Sequence, residues 1–264
     1  MIREFIWNPW HGCRKYSEGC RNCYVYRRDS SVGRDASQIT QNADFDLPVR
    51  TDRKGKPKIP SGSSVYVCMT SDFFLDDPAV APWREQAWQM IRQRTDVHFT
   101  VITKRIVHFA AFAPSDWKDG YENVSICCTM ENQAAFDRRM PCFLELPIRR
   151  KFVVCEPLLG PIDFADSLGK GIIKVVAGGE SGDNARPCRF DWILDIRQQC
   201  IRAGTAFYFK QTGARFVKDG VLYRVPRKLQ HSQAQKAGIN TAADFRAFQP
   251  AFSADGDENQ QQHL

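Results

Sequence analysis

No stretch of this 264-residue chain is apolar for long enough to cross a bilayer, and its opening residues, Met1-Ile2-Arg3-Glu4-Phe5, form no apolar leader. Neither a membrane span nor a secretory signal is expected, and the expected setting is a reducing cytoplasm. The chain also lacks the compact cysteine spacing of a small disulfide scaffold. Its ten cysteines are spread along a chain long enough to bury a core without covalent staples, so they read as thiols or ligands. Neither G-x-G-x-x-G nor G-K-[ST] occurs, which argues against a nucleotide-phosphate loop. No internal repeat is found beyond an alternation of apolar runs and helical stretches. No second C-x2-C pair is present to complete a zinc ribbon.

What is present begins with three clustered thiols. The segment Trp7-Asn8-Pro9-Trp10-His11-Gly12-Cys13 is followed by Gly19-Cys20-Arg21-Asn22-Cys23-Tyr24, giving C-x6-C-x2-C with a glycine before each of the first two cysteines. Three thiols can hold a metal or cluster and leave one coordination position open, as catalytic centres require. Three readings follow from the residues: an iron–sulfur cluster with one open iron, a structural zinc with His11 as a candidate fourth ligand, or thiol redox chemistry at Cys20 and Cys23. The other seven cysteines fall on apolar runs or helix faces and read as core.

Short β-branched runs recur at residues 65–69, 99–103, 124–128, 152–155, 172–176 and 206–209, with Phe5-Ile6-Trp7 as a first short strand. Residues 82–94 and 191–203 show helical spacing, the second stopping at Gly204. Continuous apolar strands alternating with helices predict an α/β fold with a parallel sheet, a partial or complete (β/α) barrel. The expected organisation is a barrel over 1–213 with a basic insertion at 30–63. A hairpin around Asp219-Gly220 and an extension follow over 214–252, and a disordered tail over 253–264.

In a parallel barrel, function gathers at the C-terminal ends of the strands. Those ends carry Ser71-Asp72, Lys104-Arg105, Glu131-Asn132, Glu156-Pro157, Gly178-Gly179-Glu180-Ser181-Gly182 and Lys210-Gln211. Helix capping accounts for Asp72 and Asn132. It accounts less well for Lys104, Arg105, Glu156, Glu180 and Lys210, and Asp72, Lys104, Glu131, Glu156, Glu180 and Lys210 are expected to line one cavity. The glycines at 178, 179 and 182 would let the backbone approach a ligand.

The net charge is +7, from 37 basic and 30 acidic residues. Basic runs at 50–58 (Arg50, Arg53, Lys54, Lys56, Lys58) and 224–228 fit a polyanionic partner, and equally an ordinary solvated surface.

The cysteine segment, together with Met69-Thr70-Ser71-Asp72-Phe73-Phe74, Ile102-Thr103-Lys104-Arg105, Met130-Glu131-Asn132-Gln133, Cys155-Glu156-Pro157-Leu158-Leu159-Gly160-Pro161-Ile162, Gly178-Gly179-Glu180-Ser181-Gly182 and Phe209-Lys210-Gln211, resembles the phage- and prophage-associated three-Cys-motif proteins of unassigned function. The likeness covers about residues 5–213. That family in turn looks like a relative of radical S-adenosylmethionine (SAM) enzymes. The resemblance implies a [4Fe-4S] cluster on Cys13, Cys20 and Cys23 at the top of the barrel, SAM on the open iron, and a 5′-deoxyadenosyl radical that takes a hydrogen from substrate. The spacing departs from the usual C-x3-C-x2-C of radical SAM enzymes. The Gly-Gly-Glu follows the sixth strand, whereas the family's SAM-binding glycine motif ends the second. Ser71 and Asp72 stand at the second strand and are the positional candidates for cofactor binding, with the loop of Gly178, Gly179, Glu180 and Ser181 as further candidates. Lys104, Glu131, Glu156 and Lys210 are the candidate catalytic residues. A nucleic acid or nucleotide is the favoured substrate, and the electron donor is open. The alternative is a non-catalytic nucleic-acid-binding protein, of phage type, with a structural zinc or iron–sulfur site.

Overall fold

A computed structural model describes residues 2–241. The expected tail at 253–264 and the last part of the expected C-terminal extension lie outside the described residues.

The β-branched runs become one seven-stranded parallel sheet. Its strands are β1 (Glu4–Trp7), β2 (Ser64–Val67), β3 (His98–Thr103), β4 (Val124–Thr129), β5 (Lys151–Cys155), β6 (Ile172–Gly178) and β7 (Ala206–Gln211), hydrogen-bonded in that order. The sheet is curled into a half-barrel, and β1 and β7 are its open edges. Of the partial and complete barrels expected, the partial one is found among the described residues.

The register explains the composition. One row of neighbours runs Trp7, Val67, Val101 and Ile126, and another runs Thr103, Cys128, Val153, Val175 and Phe207. These rows face the main core, where side chains alternate along each pleated strand. The opposite face carries a smaller cluster of Cys127, Phe152, Val154, Val176 and Tyr208, with Tyr66, Ile102 and Ile173 packed on it. All residues of β4 and β5 are buried, as central strands covered on both faces should be.

Helix α1 (Tyr24–Ser31) starts directly after Cys23, and α2 (Val80–Gln93) connects β2 to β3. In α2, Val80, Arg84, Ala87, Trp88 and Ile91 are buried, a single helical stripe. Helix α3 (Gln133–Glu145) is capped by Asn132, whose Oδ1 accepts from Ala135 N–H at 3.0 Å. Helix α4 (Phe190–Arg202) stops at Gly204, which has φ +66°. The expected hairpin is present as β8 (Arg215–Lys218) and β9 (Val221–Arg224), joined by Asp219 and Gly220, both at positive φ. Helix α5 (Arg227–Lys236) then returns along β7. Among the described residues no helix is long and apolar enough to cross a membrane.

The excursion at 30–63 is not a free insertion. Its Thr40–Gln41 pairs with Trp10–His11, and Ala36 accepts from the N–H of Cys13 at 2.8 Å. The base of its basic run is anchored at the other end of the sheet, because Arg94, just before β3, donates to the carbonyls of Pro48 and Ile59. Arg50 is paired with Asp44 and Asp46.

Candidate functional site

The cysteine loop leaves the C-terminal end of β1 and crosses the ends of the other strands. Its glycines have steric reasons. At Gly12, with φ +93°, an added Cβ would sit 2.1 Å from the Gln38 carbonyl oxygen. At Gly19 it would meet the Glu131 carboxylate at 3.1 Å. The turn from Cys20 to Cys23 is closed by a backbone hydrogen bond of 3.4 Å.

Three carboxylate–arginine pairs hold this loop, one beyond each of β2, β4 and β6. Beyond β2, Asp72 accepts from Phe74 N–H (3.0 Å), Thr103 Oγ1 (2.7 Å) and Lys104 N–H (3.0 Å), and pairs with Arg105 at 3.3 Å. Arg105 donates onward to Cys13 Sγ at 3.7 Å and to the Arg14 carbonyl. Ser71 donates to the Gly12 carbonyl. The turn bearing Asp72 is itself fixed by Phe73 and Phe74, both fully buried, with Phe73 4.8 Å from the Trp88 ring.

Beyond β4, Glu131 pairs with Arg139 of α3 at 2.6 Å, with both side chains only 1% exposed. Glu131 also accepts from Ser17 Oγ and, at 3.4 Å, from Gly19 N–H. Beyond β6, Glu180 accepts from Arg186 N–H, Nε and Nη2 and from Asn22 Nδ2 at 2.9 Å. Arg186 then reaches the Glu18 carbonyl at 3.1 Å. Burial raises the pKa of Glu131 and Glu180, but the hydrogen bonds and charges of Arg139 and Arg186, helped by Ser17 and Lys104 at Glu131 and by Asn22 at Glu180, leave both carboxyls below their ordinary range. The three pairs grip Cys13–Arg14, Ser17–Gly19 and Glu18 with Asn22, and Ser71 holds Gly12.

The ends of β3, β5 and β7 are different. Glu156 accepts from Lys210 Nζ at 2.8 Å and from Gln211 Nε2 at 2.7 Å. Lys104 commits its backbone N–H to Asp72, and its ammonium makes no hydrogen bond or ion pair among the described residues. Lys104 lies within electrostatic reach of Glu131, and Lys210 sits at a register break that interrupts the alternation of β7. The six residues expected to share one cavity differ in their partners. Asp72, Glu131 and Glu180 pair with arginines that border the cysteine loop, whereas Glu156 and Lys210 pair with each other.

The glycine loop after β6 is close-packed against protein. A Cβ on Gly179 would lie 2.3 Å from the Thr212 carbonyl oxygen, and one on Gly178 would lie 2.8 Å from Glu156 Oε1. Ser181 Oγ accepts from Arg27 at 3.4 Å. Chain crossing is a sufficient reason for both glycines.

Cys13, Cys20 and Cys23 are partly exposed, whereas Cys68, Cys127, Cys128, Cys155, Cys188 and Cys200 are buried. Burial pushes the Cys13 thiol up to about 11, Asp72 adds to that, and Arg105 opposes it. All three thiols lie within electrostatic reach of the Tyr26 hydroxyl, which donates to the Cys13 carbonyl. Among the described residues no three His, Cys, Asp or Glu side chains meet as donors to a single ion. Thiols on separate irons of a cubane stand further apart and need not meet in that way. His11, a candidate fourth ligand, instead binds Asp29 through Nε2 at 2.6 Å.

Arg139, Arg186, Ser17 and Asn22 were not singled out by sequence reasoning. The signal available was an arginine eight residues after Glu131 and another six residues after Glu180.

A family model described as "Protein of unknown function (DUF5131)" matches residues 2–247. No curated protein and no solved structure matches the chain.

Proposed function

The chain belongs to the DUF5131 family, and we propose that it is an iron–sulfur enzyme in which Cys13, Cys20 and Cys23 hold a [4Fe-4S] cluster and leave one iron open for SAM. The observation that carries this reading is the loop of three partly exposed thiols gripped at three places over the C-terminal end of a parallel sheet. The donor set fits such a group. It offers three thiols and no fourth protein ligand, since His11 is engaged with Asp29. When bound, a cluster with SAM supplies a carbon-centred radical, at the cost of one electron from a low-potential donor.

The protein's own residues then hold and shape the site. Asp72, Glu131 and Glu180, each with its arginine, would hold the loop in place around the cluster. Lys104, Glu156 and Lys210 are left to contact substrate: two cations and one carboxylate. The favoured substrate is a nucleic acid or nucleotide, supported by the basic residues of the cysteine loop, Arg14, Lys15 and Arg21, and by the resemblance to phage-associated proteins.

Anaerobic reconstitution of the full chain, followed by dithionite and SAM, tests the reading through release of 5′-deoxyadenosine. Release supports it. A loaded cluster with no release overturns the SAM assignment. Stoichiometric zinc in place of iron overturns the enzyme and favours a nucleic-acid-binding protein with a structural metal.

A further inference from the structure

We propose that Arg105 sets the reduction potential of the cluster by donating an N–H···S hydrogen bond to Cys13, with Asp72 moderating its charge. This inference rests on the cluster reading above. Arg105 is 4% exposed. Its Nη1 lies between Asp72 Oδ2 (3.3 Å) and Cys13 Sγ (3.7 Å), its Nη2 donates to the Arg14 carbonyl, and its guanidinium lies 4.8 Å from the Tyr16 ring centre. The guanidinium is thus held on three sides and cannot swing away from the sulfur. Among the described residues no other side-chain N–H bonds the sulfur of Cys13, Cys20 or Cys23.

The physical consequence follows from charge. Adding an electron puts more negative charge on the cluster and its thiolate sulfurs. A buried donor with a fixed positive charge stabilises that reduced form and makes the potential less negative. Arginine keeps its proton throughout, so the effect persists across the working pH range. Asp72 offsets part of it. Its carboxylate is locked by Thr103 Oγ1 and two backbone N–H groups, so it holds the fork in place while lowering the net charge beside the sulfur.

The experiment is an EPR-monitored titration of the reconstituted full chain, with dithionite supplying the one electron that enters the cluster. Arg105→Gln is expected to shift the equilibrium at least tenfold toward the oxidised cluster, about 59 mV lower for a one-electron couple. Arg105→Lys, which keeps charge but loses the fork, is expected to shift it less in the same direction. Asp72→Asn is expected to shift it the opposite way. Normal iron content with an unmoved potential in Arg105→Gln overturns the inference and leaves Arg105 a structural anchor. If Arg105→Gln does not hold a cluster, wild-type potentials in both Arg105→Lys and Asp72→Asn overturn it. A wild-type chain that takes up no iron removes the cluster reading itself, whereas a loaded wild type with unmoved variants removes this inference alone.

Discussion

The ends of β2, β4 and β6 and the ends of β3, β5 and β7 sit on one rim of one sheet, yet they do opposite things. Each of the first three carries a buried carboxylate locked to an arginine, and either the carboxylate or its arginine binds the cysteine loop. The second three carry Lys104, Glu156 and Lys210, half-buried, with Glu156 and Lys210 paired to each other. The difference teaches that an ionisable group at a barrel rim is not automatically a catalytic one. A carboxylate whose oxygens accept from fixed donors, and whose arginine borders a neighbouring loop, is committed to shape. A lysine whose ammonium is not committed remains available for chemistry.

The largest expected effect comes from breaking the most buried pair. Arg139→Met leaves Glu131 buried with its charge uncompensated, and is expected to cost about 3–5 kcal/mol in urea unfolding. The double variant Glu131→Leu/Arg139→Met is expected to recover part of that loss. A single variant within about 1 kcal/mol of wild type would break the distinction between the two sets of strand ends.

Next in size is Gly179→Ala. Its methyl would collide with the Thr212 carbonyl oxygen and the Cys188 side chain. A loss of about 1–3 kcal/mol is expected in the absence of any ligand. Unchanged stability with weakened SAM binding would instead make the glycine a ligand-approach position.

Acid sharpens the comparison further. Glu180 has its carboxyl held below its ordinary value of 4.5, so the unfolded chain takes up its proton first as the pH falls. Its contribution is present above that value and is lost as the pH drops through the folded value. The stability gap between wild type and Glu180→Gln should therefore be largest near neutrality and close on acidification, as read by unfolding midpoints at a series of pH values. A gap independent of pH would contradict the assignment.

The fold was legible because apolar runs and β-branched residues dictate buried parallel strands wherever they recur. All seven strands, the boundaries of α2 and α4 to within two residues, and the Asp-Gly hairpin follow from local pattern. The excursion at 30–63 was read as an insertion because its ties are tertiary: Ala36 to Cys13, Thr40 to His11, and Arg94 to Pro48. The site was half legible. Strand order brings Asp72, Glu131 and Glu180 to one rim, but their partners Arg105, Arg139 and Arg186 come from loops and a helix, and no spacing in one dimension says which carboxylates those arginines neutralise. Burial separates the two groups of ionisable residues, and burial is a property of packing.

The smallest effects on stability are expected at the other strand ends. Glu156→Gln and Lys210→Met break a pair with side chains 12% and 21% exposed. They should cost about 1–2 kcal/mol, the loss of a charged hydrogen bond in a partly buried place. Iron content should stay at the wild-type level. Loss of iron together with stability would place this pair with the loop-holding set.

The most direct test of the account is iron and acid-labile sulfide per chain after anaerobic reconstitution, measured for wild type and Cys20→Ala alongside far-UV circular dichroism. The account predicts about four iron and four sulfide for wild type, the loss of both in Cys20→Ala, and unchanged secondary structure, because a core of this size does not depend on one metal centre. Zinc without iron in the wild type, or collapse of the fold together with the metal in Cys20→Ala, would contradict it.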